Sequence, residues 1–298
     1  MEKKRTILTT SSRGINEDSL PFRLYQKAKK FGVWNPSDID FSQDAKDWVA
    51  LSDDQRYEVL RLISQFQAGE EAVTLDLLPL IMAIAKEGRL EEEMYLTTFL
   101  FEEAKHTEFF RLALNAIGEK GDLSIYLTET YQKIFYELLP NTMNRLIHDA
   151  SPEAIAEAAT VYNMFVEGVL AETGYYTFYQ SLEKVGIMPG LLKGIGLLKK
   201  DESRHIGYGT FLLQRLISEH DHLFELVVNK MEELKPYSIR LNEESSDLPE
   251  TTFGVSREET LNFSLKQLSI RMEVLARARG KKIEDIYRLT EKEVGVIS

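Results

Sequence analysis

From Ser52 onward the chain is dominated by long stretches in which apolar residues recur every three or four positions, the spacing of one buried face of an α-helix. Ser52 with Gln55 forms a capping-box pattern, and the helical spacing then runs to about Lys86, ahead of Gly88. Pro79 lies inside it, so a kink is expected there. A second helix is predicted from about Leu90 to Ile117, stopping at Gly118, and a shorter one from Leu123 to Leu139, ending at Pro140. Ser151-Pro152-Glu153 starts a third long helix that extends to about Val185. After Gly186 and Met188-Pro189-Gly190 a fourth runs from Leu191 to Glu219. A further helix follows His222, residues 244–256 read as a loop, and a last helix is predicted over 257–279. Residues 1–50 show little of this periodicity and read as an irregular arm, with the turn formers of Trp34-Asn35-Pro36-Ser37-Asp38 between apolar anchors.

No run alternates like a strand, so the fold class is all-α. Four of the helices span about 28–36 residues, far above the usual globular length of roughly 11–12. Long matched helices with short first and last connections and one long connection, residues 118–151, predict a four-helix bundle with a single long crossover. The expected organisation is one domain over 1–298: the arm at 1–50, a bundle core at 52–219, and additional flanking helices in 220–298.

The 298 residues are 43% hydrophobic and 28% charged, with a net charge of −12. That field repels a phosphate backbone, so no nucleic-acid partner is expected. The absence of cysteine removes disulfides, thiolate metal sites and cysteine nucleophiles. The longest strongly apolar uncharged run, Leu77 to Ala85, is too short for a transmembrane segment, and the charged start Met1–Arg5 has no apolar stretch behind it. A cytoplasmic location is expected.

Two Glu-x-x-His motifs interrupt apolar stripes. One stripe reads Leu96, Phe99, Glu103, His106, Phe110, Ala113, Ile117, and the other Ile195, Leu198, Glu202, His205, Gly209, Leu212, Leu216. Residues three apart share a helix face, so each carboxylate and imidazole can reach one ion. Glu70 lies 33 residues before Glu103, within the stripe Ile63, Phe66, Glu70, Val73, Leu77, and Glu167 lies 35 before Glu202. The chain thus carries a weak repeat: a helix with one inward Glu, a turn, then a helix with inward Glu-x-x-His. Four carboxylates and two imidazoles are the ligand set of a dinuclear site inside a bundle. Ionised together in an apolar core they repel one another, and two divalent ions cancel the charge. Oxygen and nitrogen donors suit iron or manganese without ranking them. Glu219 and His222 repeat the spacing, with Glu183 upstream, but they lie in polar surroundings and near helix ends, and are read as coincidence.

On these six residues the sequence resembles the ribonucleotide reductase small-subunit superfamily of the ferritin-like fold. More closely it resembles the superfamily's ligand-binding oxidases, through Ala68-Gly69-Glu70-Glu71-Ala72-Val73, Glu102-Glu103-Ala104-Lys105-His106 and the stretch from Ala159 to Tyr176. The position four after His106, a radical tyrosine in many reductases, is Phe110, which excludes a stable tyrosyl radical there. The resemblance implies one manganese held by Glu70, Glu103 and His106 and one iron held by Glu167, Glu202 and His205, with Glu103 bridging; two irons are the alternative. It further implies a long-chain fatty acid near the metals, dioxygen activation, and an ether cross-link between Val73 and Tyr162 formed by oxidising a valine C–H bond. A homodimer and an unidentified electron donor are implied as well. Val73, three residues after Glu70, falls on the metal-facing side of its helix. Tyr162, five before Glu167, turns away on a regular helix, and a π-type turn between them restores a common face.

The alternatives are a reductase small subunit, against which the tail after Tyr287 lacks a further tyrosine, and an iron-binding protein without turnover. Desaturase and hydroxylase chemistry use similar ligand sets. Glu71, Glu102 and Glu172 point elsewhere on regular helices, with a role in supporting the ligands from behind as the alternative. His148, His220 and His222 are expected to be solvated. Tyr175, Tyr176, Phe178 and Tyr179 are expected to pack in the core, with a tunnel-lining role as the alternative, and the 257–279 helix to pack on the bundle.

Overall fold

A computed structural model describes residues 7–245, 250–283, 285 and 286; the tail beyond Tyr287 lies outside them. Among the described residues there are helices and no strand, apart from one isolated bridge between Glu250 and Ser256.

The first long helix, α3 (Asp53–Glu87), starts where the sequence places it. The Ser52 side chain accepts from the Gln55 N–H while the Gln55 side chain accepts from the Ser52 N–H, and Gly88 ends the helix at φ 74°. It continues across Pro79 without interruption. α4 (Leu90–Ala116) returns antiparallel to it. The crossover contains α5 (Glu129–Gln132), a π-helical stretch Lys133–Leu138, and α6 (Leu139–Arg145). The expected stop at Pro140 does not occur: α6 runs on directly from the π-helical stretch, with Pro140 at its second position. The third long element is composite, running α7 (Pro152–Ala159), a π-helical stretch Thr160–Ala171, α8 (Glu172–Phe178) and a second π-helical stretch Tyr179–Glu183. α9 (Pro189–Glu219) completes the bundle, and α10 (Leu223–Glu243) and α11 (Arg257–Ala276) flank it. α11 packs on the composite helix as expected: Arg271 Nε donates to the Gly168 carbonyl at 3.2 Å, and Tyr176 stacks on Phe263 at 4.4 Å.

The arm is the main correction. Residues 1–50 contain α1 (Leu20–Phe31) and α2 (Ser42–Ala50), joined through a 3-10 turn at Pro36–Asp38. α2 is short and mostly polar, α1 carries apolar residues at helical spacing over only twelve residues, and both depend for stability on docking on the bundle. α1 buries Leu20, Leu24 and Ala28, one per turn. From α2, Asp44 accepts the N–H of Gly190 at 2.9 Å and of Leu191 at 2.7 Å, and Asp47 that of Met188 at 2.8 Å. These carboxylates cap α9 from outside and hold Met188 in a left-handed conformation, φ 53°.

The apolar interior falls into two clusters. One gathers Val73, Leu77, Phe99, Tyr162 and Tyr208; the other Ile63, Phe109, Phe110, Tyr175, Ile195 and Leu198. Glu70, Glu103 and Glu202 lie in sequence between members of the two, so a charged layer separates them. The stretch Pro152–Glu183 is long and apolar enough to cross a bilayer by composition, but 83% of its most apolar window is buried inside this molecule, as for a core helix.

Candidate metal centre

The six residues singled out from the sequence meet at one place. Ligand atoms of Glu70, Glu103, His106 and Glu202 lie within 4.8 Å of one another, and so do those of Glu103, Glu167, Glu202 and His205, with every residue buried. The two groups share Glu103 and Glu202. His106 Nδ1 is 3.4 Å from Glu70 and 3.4 Å from Glu202, and His205 Nδ1 is 3.1 Å from Glu103 and 3.4 Å from Glu202. Glu219 and His222 are not part of any such group among the described residues; Glu219 pairs with Arg89 and His222 with Glu153.

Both oxygens of Glu103, Glu167 Oε1, Glu202 Oε2 and both Nδ1 atoms are buried and have no hydrogen-bond partner. Such a set of inward-facing donors in apolar surroundings is costly unless something cationic sits among them. Burial pushes the Glu70 and Glu167 carboxyls well above the usual range, and neighbouring carboxylates add to it. Burial acts against a charged imidazole, yet the carboxylates around His106 and His205 outweigh it and raise both rings well above their ordinary values. Two divalent ions fit the same space and donor chemistry.

The outer ring nitrogens show a reciprocal exchange. His106 Nε2 faces Asp201 Oδ2 at 3.2 Å, and His205 Nε2 faces Glu102 Oε2 at 2.9 Å. Each acid immediately precedes the other motif's glutamate. Arg204 Nη2 donates to both, closing the exchange. Asp201 also accepts from Lys105 at 2.8 Å and from Trp34 Nε1 at 2.8 Å. Burial opposes its ionisation, but His106, Lys105 and Arg204 hold its carboxyl well below the usual range. Such acids fix the imidazole tautomer so that Nδ1 presents its lone pair inward. Glu102 was expected to point elsewhere; it does leave the ligand layer, but only to grip the histidine of the opposite motif. Asp201 was missed. The signal was present, since both motifs read acid-Glu-x-x-His. Gly32, at the end of α1, leaves room for this network: a Cβ there would come within 1.8 Å of Glu102 Oε1.

Glu167 is carried by the π-helical stretch, whose wider turns bring Tyr162 onto the site-facing side five residues earlier. Tyr162 donates its hydroxyl to the Val73 carbonyl at 3.2 Å. Asn163, also missed, donates to Glu167 Oε2 at 2.9 Å. Glu71 is exposed, and Glu172 is buried beside Lys199 and Arg271, outside the ligand groups. Tyr175 and Phe178 pack with Phe66 in the core.

A cavity opens on Glu70, Val73, Glu103, Glu167 and Glu202, walled by Phe66, Gly69, Val166 and Leu170.

A helical bundle presenting two Glu-x-x-His motifs and two further glutamates to one buried layer defines a ferritin-like dinuclear carboxylate centre. Residues 21–259 match the family model for the ribonucleotide reductase small chain, and the chain belongs to that family. Within it, the chain groups with the R2-like ligand-binding oxidases. One solved structure of such an oxidase, with an aerobically reconstituted Mn/Fe cofactor, is 43% identical and superposes with a TM-score of 0.88, covering 91% of this chain and 98% of the other. A point variant of an R2-like ligand-binding oxidase with an aerobically reconstituted Fe/Fe cofactor is 43% identical, with a TM-score of 0.88 over 91% and 99% of the two chains. Another variant, with Mn/Fe, matches at 43% and 0.87 over the same shares.

Proposed function

We propose that this chain is a cytoplasmic, homodimeric oxidoreductase that binds one manganese and one iron and activates dioxygen beside a long-chain fatty acid. Glu70, Glu103 and His106 would hold the manganese and Glu167, Glu202 and His205 the iron, with Glu103 in reach of both groups. The observation that carries the reading is the pair of buried ligand groups sharing Glu103 and Glu202. The Mn/Fe cofactor of the 43% identical oxidases supports the choice of metals. When bound, the metal pair supplies the redox chemistry that reduces dioxygen and abstracts hydrogen from an unactivated C–H bond.

This chain's own residues bind, orient and exclude water. Asp201 and Glu102 hold the two imidazoles with Nδ1 inward. Phe99 stacks on the His205 ring at 3.6 Å and shuts water from that side. The cavity offers a fatty-acid carboxylate a way to the metal layer and its chain the apolar wall of Phe66, Val166 and Leu170. Tyr162, whose hydroxyl donates to the Val73 main-chain carbonyl, would form an ether bond to the Val73 side chain. That bond removes one hydrogen from the phenol and one from a valine carbon, two electrons and two protons in all, with dioxygen as the oxidant. For the dimer, Leu75, Leu78 and Met82 form an exposed apolar stripe along α3, with Phe101 exposed on α4.

The test is anaerobic loading with manganese and iron, then air, intact mass and peptide mapping. A loss of two hydrogens joining the Val73 and Tyr162 peptides supports the oxidase; an unlinked pair in correctly metallated protein refutes the cross-link. Co-purification with a large subunit and nucleotide reduction would instead establish a reductase small subunit.

A further inference from the structure

The cavity has a second end. Beyond its apolar middle the walls become polar, with Arg61 and Gln65 from α3 and Asn242, Ser245 and Thr251 from α10 and the segment following it. Arg61 and Glu70 lie on the same unbroken helix, nine residues apart, which is about 13 Å along its axis. The two ends are therefore held at a fixed separation by a single rigid element.

Among the described residues, Arg61 has one hydrogen-bond acceptor at this end. Its Nη1 donates to the Glu244 carbonyl at 3.3 Å, and its Nε is buried without a partner. A guanidinium has five donors in a fixed fork. Glu58, one turn earlier, is taken up by Thr252, whose N–H and hydroxyl both donate to it at 2.8 Å. Burial lowers the Arg61 pKa, and the neighbouring Tyr57 and Glu58 oppose that shift. Tying down the end of α10 explains one of its N–H groups.

We propose that Arg61 and the polar residues around it form a subsite for a second anionic group, so that the favoured ligand is a long-chain fatty acid carrying a second, terminal carboxylate. This rests on the placement of one carboxylate at the metal layer in the preceding reading. The far carboxylate accepts from the Arg61 fork, and the fixed spacing to Glu70 makes affinity depend sharply on chain length.

The test uses Mn/Fe-loaded protein stripped of bound lipid, with affinities for saturated monocarboxylates and α,ω-dicarboxylates of twelve to eighteen carbons measured by titration calorimetry. At the best length the dicarboxylate should bind about tenfold more tightly than the monocarboxylate, the increment of one charge-assisted contact. In Arg61→Met this preference should fall to within about twofold, with monocarboxylate affinity retained as the check on folding, and Arg61→Lys should keep part of it. Equal or weaker dicarboxylate binding at every length, or a preference that survives in Arg61→Met, overturns the second subsite while leaving the fatty-acid reading intact. Failure of both series to bind overturns both.

Discussion

The two halves of the metal layer are near-copies in sequence and unlike in structure. In the first, Glu70 sits on a regular α-helix, and the acid behind His106 is Asp201, which is also gripped by Trp34, Lys105 and Arg204. In the second, Glu167 sits on a π-helical stretch, His205 is covered by Phe99 at 3.6 Å, and the acid behind it is Glu102, which has Arg204 as its other partner. The six inward side chains hardly distinguish the halves. The surroundings do, and a chemical difference between two ions bound here must arise from those surroundings.

Removing ligands should break the symmetry most strongly. Glu103→Ala takes a donor from both groups and should cost both ions, whereas Glu70→Ala should cost the first and spare the second; elemental analysis after replete loading distinguishes the outcomes. Smaller is the effect of the acids behind the histidines. Asp201→Asn and Glu102→Gln should each weaken metal binding about 10–100-fold. The loss should fall on the His106 ion in one variant and on the His205 ion in the other, as read by metal competition. Equal losses at both ions in both variants would mean that the Arg204 link makes the network one unit.

Next comes packing behind the second half. A Cβ on Gly209 would lie 2.2 Å from Asn163, the residue that donates to Glu167. Gly209→Ala should destabilise the fold by about 1–3 kcal/mol and loosen the His205 ion, as read by denaturant titration with and without metal.

The smallest effect compares two buried acids beyond the ligands. Burial pushes the Asp76 carboxyl up to about 6, against 3.8 when free. The folded state therefore holds its proton more tightly, and this contribution to stability is full below about pH 4 and lost as pH rises through 6. Asp76→Asn should melt a few degrees higher than wild type at pH 7.5 and identically below pH 4. Burial also raises Glu172, but Lys199 and Arg271 pull it back. Glu172→Gln should gain less, because it strips those cations of their partner.

Much of this was written in the stripes. Carboxylates and imidazoles at core positions stand out because apolar periodicity fixes which face is inward, and Ser52, Gly88, Ser151 and Pro189 mark the helix limits. The π-helical stretch could be anticipated once Tyr162 and Val73 were required to face each other, although nothing local in Thr160–Ala171 announces it. The arm was misread because twelve and nine residues are too few to hold a helix without docking, although the Leu20, Leu24, Ala28 spacing of α1 stands in the sequence and only the capping by α2 does not.

The helical fold, its long crossover and the six inward donors can be read from spacing along single helices. Only the tertiary structure decided that Asp201 serves His106 and Glu102 serves His205, and that the cavity runs from the carboxylates to Arg61. Those pairings join residues about a hundred positions apart, or helices that meet only after packing, and a one-dimensional pattern has no term for which faces meet.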